Sequence, residues 1–488
     1  MKKNIRLIII ICIAALVLGG AVLALTLTAP EEEEEPAAEE EIKTSLLYDK
    51  DPKDLAKITI ENAEDKYEVI RIGEEDEAKW TVKEIANLPL SRSVMNKILE
   101  NASSLTAQQT VVEAPEDISI YGLDKPSATV TAEFTDSANT VKKVIIGNLT
   151  PEETKRYLMI DGDPKVYTVY NTAVSCFLEK KYSLINKTVY TARSAVDEND
   201  TTNYTRINKL TVSRTDLDYD VVIEYDVRLD DEDAMVANSS NYVMTAPVAR
   251  DLNPETSADI TEGIFGLSAS DFAVLNPVDS DFEALGLNSP AAEVTAEING
   301  GDRLSFKIGN EFINEDGKKA GRFVYVDGIN IIYIFDDGSL PWLTFSPLKI
   351  VTTMYTSNYV YDLEGLKITA GDKTLDFEIS GAGADDFAVK RGGAEEDADR
   401  FKNLYQFILR APSSELYFED TSEEPSLTVE IIAKDGKNDL IEFIPAGGRQ
   451  AIVRLNGKPT YKCAQAYVDR FISNLELYEN GEEIVANW

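Results

Sequence analysis

Residues 121 to 134 read YGLDKPSATVTAEF, and residues 285 to 298 read LGLNSPAAEVTAEI. A chain that repeats a stretch this closely must fold both copies alike, so the repeat constrains architecture before any other feature does. Counted from Pro126 and Pro290, the apolar residues Ala128, Val130, Ala132 and Phe134 hold the same offsets as Ala292, Val294, Ala296 and Ile298. Period-two alternation predicts a strand with one buried face. A fainter third copy follows Pro425, where Leu427, Val429, Ile431 and Ala433 keep the phase although Ser-Glu-Glu replaces the Gly-Leu turn. Phase is the informative part, because a slip of one residue would turn the apolar set outward.

Other landmarks recur in the same order. DLAKITI (54 to 60), RINKLTV (206 to 212) and DLEGLKI (362 to 368) each predict an opening strand. Aromatic-led strands follow at Trp80, Tyr242 and Phe387. Helix-period stretches come next: Val94, Ile98, Ala102 and Leu105; Ile260, Ile264 and Leu267; Phe401, Leu404, Tyr405 and Ile408. Ile-Gly-Asn stands at 146 to 148 and again at 308 to 310, and Asp-Gly or Asn-Gly turns then split three β-rich runs into hairpins, at 156 to 169, 321 to 335 and 450 to 463. The expected fold class is α+β: an N-terminal transmembrane helix followed by three repeated modules, each a largely antiparallel sheet with packed helices. The modules are placed at 46 to 190, 206 to 355 and 356 to 488, with a linker at 191 to 205, and a length of 488 residues accommodates about three domains.

The Gly-Leu-Asx-x-Pro turn has a sufficient structural explanation. Gly122 and Gly286 tolerate positive φ, Pro126 and Pro290 aim the chain into a strand, and Asp124 and Asn288 are expected to add a side-chain hydrogen bond within the turn. Ile-Gly-Asn reads as a turn signal, since no phosphate-cradling glycine pattern surrounds it. Trp80, Tyr121 to Pro126, Gly147 with Asn148, and Tyr157 together resemble the bacterial domain-of-unknown-function family numbered forty-three forty, with a weaker likeness at Leu285 to Pro290 and a faint one in the third copy. That resemblance implies an anchored envelope protein, often encoded beside gliding-motility-type ABC transporter components, and transfers no catalytic residue.

Leu7 to Leu27 is an uncharged run long enough to cross a bilayer of about 30 Å, and Lys2, Lys3 and Arg6 precede it in a basic N-terminus at 1 to 6. The positive-inside rule then predicts a single-pass signal anchor in the cell membrane, with the N-terminus cytoplasmic and the modules extracytoplasmic. A cleaved signal peptide ending near Ala24-Leu25-Thr26 is the competing reading. Cys12 is read as an ordinary apolar residue of the span. Residues 28 to 45 read as an acidic disordered linker, with eight glutamates in EEEEEPAAEEE at 31 to 41.

The chain holds 48 basic and 86 acidic residues, a net charge of −38, so nucleic acid is excluded as a partner for want of clustered Lys and Arg. There is no histidine, which removes Ser-His-Asp and Cys-His catalysis and every His-ligated zinc site. Cys176 and Cys463 make no disulfide framework, although one long-range bridge stays open. Carboxylates cluster in DENDTT (197 to 202), DLDYD (216 to 220) and RLDDED (228 to 233), yet none has the glycine and terminal glutamate of an EF-hand loop. No catalytic, cofactor-binding or metal-ligating residue is assigned, and no cofactor is expected. The reading is therefore a non-enzymatic, membrane-anchored scaffold or binding protein, an accessory of an ABC-transporter-type system that contacts its permease or another envelope protein. A calcium-dependent or solute-binding envelope protein and a carboxylate-based envelope hydrolase are the alternatives.

Overall fold

The computed structural model describes residues 44 to 73, 79 to 193, 205 to 230 and 240 to 485. In the first module the strands are β1 (Ser45–Asp49), β2 (Leu55–Asn62), β3 (Lys66–Ile72), β4 (Lys79–Val82), β5 (Ser104–Ala107), β6 (Gln109–Val112), β7 (Ala128–Phe134), β8 (Val141–Leu149), β9 (Lys155–Ile160) and β10 (Val166–Tyr170). The second holds β11 (Ile207–Arg214), β12 (Val221–Tyr225), β13 (Tyr242–Ala246), β14 (Arg250–Asp251), β15 (Asp271–Leu275), β16 (Ala292–Ile298), β17 (Arg303–Ile313), β18 (Lys319–Val326) and β19 (Ile331–Phe335). The third holds β20 (Leu363–Ala370), β21 (Lys373–Ser380), β22 (Ala388–Arg391), β23 (Ala394–Glu395), β24 (Glu415–Leu416), β25 (Leu427–Ala433), β26 (Asp439–Pro445), β27 (Gln450–Leu455) and β28 (Lys458–Ala464).

Three sheets share one topology. The orders are β4-β3-β2-β7-β8-β9-β10-β6, β14-β13-β12-β11-β16-β17-β18-β19-β15 and β23-β22-β21-β20-β25-β26-β27-β28-β24, while β1 and β5 form a separate pair. Each sheet is two antiparallel meanders joined at the centre by the opening strand and the proline-led strand. Registers coincide: Ile58 faces Ala132, Leu210 faces Ala296 and Leu366 faces Ile431. All three opening strands carry a bulge at the same place, with Ala56, Asn208 and Glu364 as the extra residue. The apolar residues of β7, β16 and β25 are buried at alternate positions throughout, which is the core face that their period-two pattern demands.

Helices connect the two edges of each sheet: α1 (Arg92–Ser103) lies between β4 and β5, and α2 (Asn171–Val174) is a single turn after β10. In the second module α3 (Pro254–Glu262) leads from β14 to β15, and α4 (Asp279–Ala284) precedes β16. In the third, α5 (Ala398–Leu409) leads from β23 to β24, and α6 (Gln465–Glu479) follows β28. Local chemistry sets their starts. Asn253 and Asp397 accept hydrogen bonds from Glu255 N and from Asp399 N and Arg400 N, and Pro254 sits where its missing N–H costs nothing. Phe401, Leu404, Tyr405 and Ile408 are buried along one face of α5, whereas Leu105 lies in β5, and Ile264 and Leu267 follow α3 rather than extend it.

Two expectations are corrected. The fold is mostly β, with 41% strand, 21% helix and four antiparallel sheets, rather than α+β. The excess of strand comes from the opening meanders and from short edge strands such as β14, β23 and β24, two residues each, too short to carry a periodic signal. The single-pass placement in the cell membrane is also overturned: among the described residues no helix is long and apolar enough to cross a membrane. The longest, α6, has 15 residues, about 22 Å at 1.5 Å per residue, and includes Asp469, Arg470 and Glu476. The run Leu7 to Leu27, Cys12 and the glutamates at 31 to 41 lie outside the described residues.

The chain divides into two compact units, Met1–Lys83 with Asn96–Lys180, and Glu84–Met95 with Lys181–Trp488. The second and third sheets therefore belong to one unit. A strap joins them: Asn253 N donates to Ile350 O, Thr352 N to Asp251 O and Tyr461 Oη to Thr352 O, and Thr356 Oγ1 donates to Asp439.

Candidate functional site

The two motifs singled out by the repeat meet in space. Gly122 has φ +67°, and a Cβ there would lie 2.4 Å from the side chain of Asn148, while a Cβ on Gly147 would lie 2.2 Å from Tyr121 O. The second module repeats the arrangement: Gly286 has φ +73°, and a Cβ there would lie 2.3 Å from the side chain of Asn310, while a Cβ on Gly309 would lie 2.3 Å from Leu285 O. Asn310 N donates to Leu285 O at 2.9 Å and its Nδ2 to Ala284 O at 3.4 Å, so Ile-Gly-Asn clasps the Gly-Leu turn. The outgoing strand loses register at this clasp, between Ile146 and Leu149 and between Ile308 and Glu311.

An arginine from the next strand closes each clasp. Arg156 Nη1 donates to Gly147 O at 2.9 Å and to Ser127 Oγ at 3.2 Å, and Nε donates to Asn171 Oδ1 at 2.8 Å. Arg322 Nη1 donates to Gly309 O at 3.2 Å and Nη2 to Glu311 at 3.2 Å. Burial pulls the pKa of the Arg156 guanidinium below its ordinary value. The expected turn bonds of Asp124 and Asn288 are absent; both residues are exposed with no side-chain partner among the described residues. The clasp residues Asn148 and Asn310 fill the space beside the turn instead. This motif is a joint packed too closely to admit a ligand.

The acidic stretches and the thiols are equally committed. Asp216 pairs with Arg214 and Asp220 accepts from Ser213 Oγ at 2.7 Å. Arg228 grips the 2%-exposed carboxylate of Asp226 through two bonds of 2.7 Å and reaches Asp251 at 2.7 Å, so this buried charge is paired. DENDTT and the end of RLDDED lie outside the described residues, among which no group of three or more carboxylates or thiols could hold a metal ion. Cys176 and Cys463 are free and buried, with their thiols pushed up to about 11 and about 12 by burial. Neither is an activated nucleophile.

What remains is a cleft of about 440 Å³ within the second unit. One wall is the β13–β14 turn, from Thr245 to Arg250; the other is the β27–β28 turn, from Leu455 to Thr460, and Phe418 and Asp420 also line the cleft. The loop carrying Phe418 is held by Tyr417 N, which donates to Thr460 O at 3.0 Å, and by an edge-to-face contact between the rings of Phe418 and Tyr219 at 5.2 Å. Arg250 is committed to the strap: its Nη2 donates to Thr352 O at 3.4 Å and to Met354 O, and its guanidinium lies 5.6 Å from the ring centroid of Tyr461. Asp420 and Lys458 are exposed and have no ion-pair partner among the described residues. The sequence reading missed this cleft because its walls are hairpin turns from modules 2 and 3, and only the divergence of the third copy after β24 hinted that the loop does something different.

Fold and site together define an array of antiparallel-sheet modules with a cleft between two of them. Residues 80–273 match the model of the family described as Domain of unknown function (DUF4340). The matched stretch begins in β4 and ends in β15, so it includes Trp80, Tyr121 to Pro126, Gly147, Asn148 and Tyr157, and stops short of Leu285 to Pro290. No curated protein and no solved structure matches the chain.

Proposed function

We propose that this chain is a binding and scaffold protein, not an enzyme: an array of rigid sheets that presents a cleft and broad polar faces to a partner. The observation that carries this reading is the cleft itself, whose walls come from turns of two different modules and whose lining includes Asp420 and Lys458, exposed and without an ion-pair partner among the described residues. Support comes also from the fate of the polar groups elsewhere. The clasp residues, Asp216, Asp220 and Asp226, and both cysteines are used in packing or pairing, and the chain has no histidine to act as a general base at neutral pH. The partner class carried forward from the family resemblance is a component of an ABC transporter. Crosslinking in intact source cells, followed by mass spectrometry, tests this. Recovery of a transporter subunit on peptides from the second or third module is the expected result; recovery of this chain alone overturns the accessory role.

A further inference from the structure

Three charged residues line the cleft: Arg250 is committed to the strap, and Asp420 and Lys458, one of each sign, have no ion-pair partner among the described residues; the rest of the lining mixes apolar residues and prolines with the polar Thr245, Asn456 and Thr460. Asp420 stands two residues after Phe418 in the loop that follows β24, and both line the cleft. A carboxylate beside a ring that is 41% exposed suits an ammonium group, which gains from the charge and from the ring face together. Lys458, from the β27–β28 turn, offers an ammonium to a carboxylate. Pro247, Pro459 and the buried Val248 add apolar surface to the lining, and a volume of about 440 Å³ falls within the roughly 300 to 1,000 Å³ usual for small-ligand sites.

The field of the whole molecule bears on which ligands approach. With a net charge of −38 the surface repels anions and draws cations, so a ligand with only negative charge is disfavoured despite Lys458. A purely cationic ligand would leave Lys458 facing like charge. A zwitterion satisfies both groups without opposing the field. We propose that the cleft binds a short peptide through its free termini, with the α-ammonium at Asp420 and Phe418, the α-carboxylate at Lys458, and apolar side chains against the two prolines. This rests on the binding reading above and names its ligand class.

The test uses the full chain and a tripeptide, Ala-Leu-Ala, as the probe in titration calorimetry. The free tripeptide is expected to bind saturably, and N-acetylation or C-amidation each to weaken it by about tenfold or more, the loss expected of one charge-assisted contact. Asp420→Asn is expected to weaken the free peptide and leave the acetylated one unchanged; Lys458→Gln is expected to do the same with the amidated one. Both residues are exposed, so melting temperatures should match the parent. Equal binding of all peptide forms, variants that weaken every form alike, or no saturable binding would each overturn the proposal. Crosslinking to the transporter component separates the two levels: if that survives while the tripeptide fails, the ligand class is wrong and the scaffold reading stands; if both fail, the scaffold reading falls with it.

Discussion

Modules two and three share a topology and a register and part company at one joint. The residue after the strand partner of Ala292 is Gly309; the residue after the strand partner of Leu427 is Ile444. Gly309 lies against Leu285 O with no room for a Cβ, and β17 breaks register there, whereas Ile444 is fully buried and β26 pairs straight through to Pro445. The difference follows from the turn. Sixteen residues, 276 to 291, separate β15 from β16 and fold into α4 and the Gly-Leu turn, while ten, 417 to 426, separate β24 from β25 and make no turn against the strand. Once the turn is gone, the glycine, the bulge and the clasping asparagine lose their reason together, and an isoleucine takes the vacated volume. The shortened loop reaches Tyr219 and borders the cleft. Motif residues of this kind are lost as a set because they serve one contact.

Exchanging residues across the joint breaks the comparison most severely. Gly309→Ile, which writes the third module's residue into the second, should cost about 3 to 4 kcal/mol, because the new side chain meets backbone rather than a mobile side chain. The converse Ile444→Ala should cost about 3 kcal/mol through a cavity. Urea unfolding measures both, and a Gly309→Ile variant as stable as the parent would show that the clasp yields. Next in size is Gly122→Val, expected to lose about 1 to 3 kcal/mol from positive φ and the push on Asn148, against no measurable loss for Asp124→Ala, whose side chain is exposed and unbonded.

The smallest effect concerns the hairpin tips, each tied by a cation: Lys50 to Asp136, Arg193 to Asp302 and Lys434 to the carbonyls of Tyr361 and Gly381. Asp136 accepts from Lys50 Nζ at 2.7 Å and from Thr140 Oγ1 and N at 2.7 and 2.8 Å, which hold its carboxyl well below the usual range. A carboxyl lowered on folding contributes stability above its unfolded value, near 3.9, and loses it as pH falls toward the folded one. Asp136→Asn should therefore lower the melting temperature slightly at pH 7, with the difference from the parent closing in strong acid. A difference that is constant down to pH 2 would contradict the pairing.

Much of this was legible in sequence, and the limits have physical causes. The proline-led strands, the opening strands and the Asp-Gly and Asn-Gly hairpins were readable because each couples a periodic face to turn chemistry. Edge strands of two residues have no period to read. Helix α6 was overlooked although Tyr467, Val468, Phe471, Leu475 and Tyr478 mark a helical face, and all five are buried. Both halves of the clasp were visible as motifs, but their contact was not, since Gly122 and Gly147 are distant in sequence and glycine carries no hint of what it must avoid. The cleft was illegible for the same reason, being a meeting of turns.

The likeness of β7 and β16, ATVTAEF and AEVTAEI, also has a kinetic consequence. During folding β2 meets two strands that offer almost the same alternating face, one whose contact residue is 74 positions away, from 58 to 132, and one 238 positions away, from 58 to 296. Closing the longer loop costs only about 1 kcal/mol more, since the penalty grows with the logarithm of length. Chain entropy alone thus favours the native partner by roughly fivefold, a thin margin in a chain with this many near-copies. Synthesis supplies the rest. The first module can complete its sheet while the second is still being made, so order of emergence, more than side-chain specificity, keeps each opening strand with its own partner.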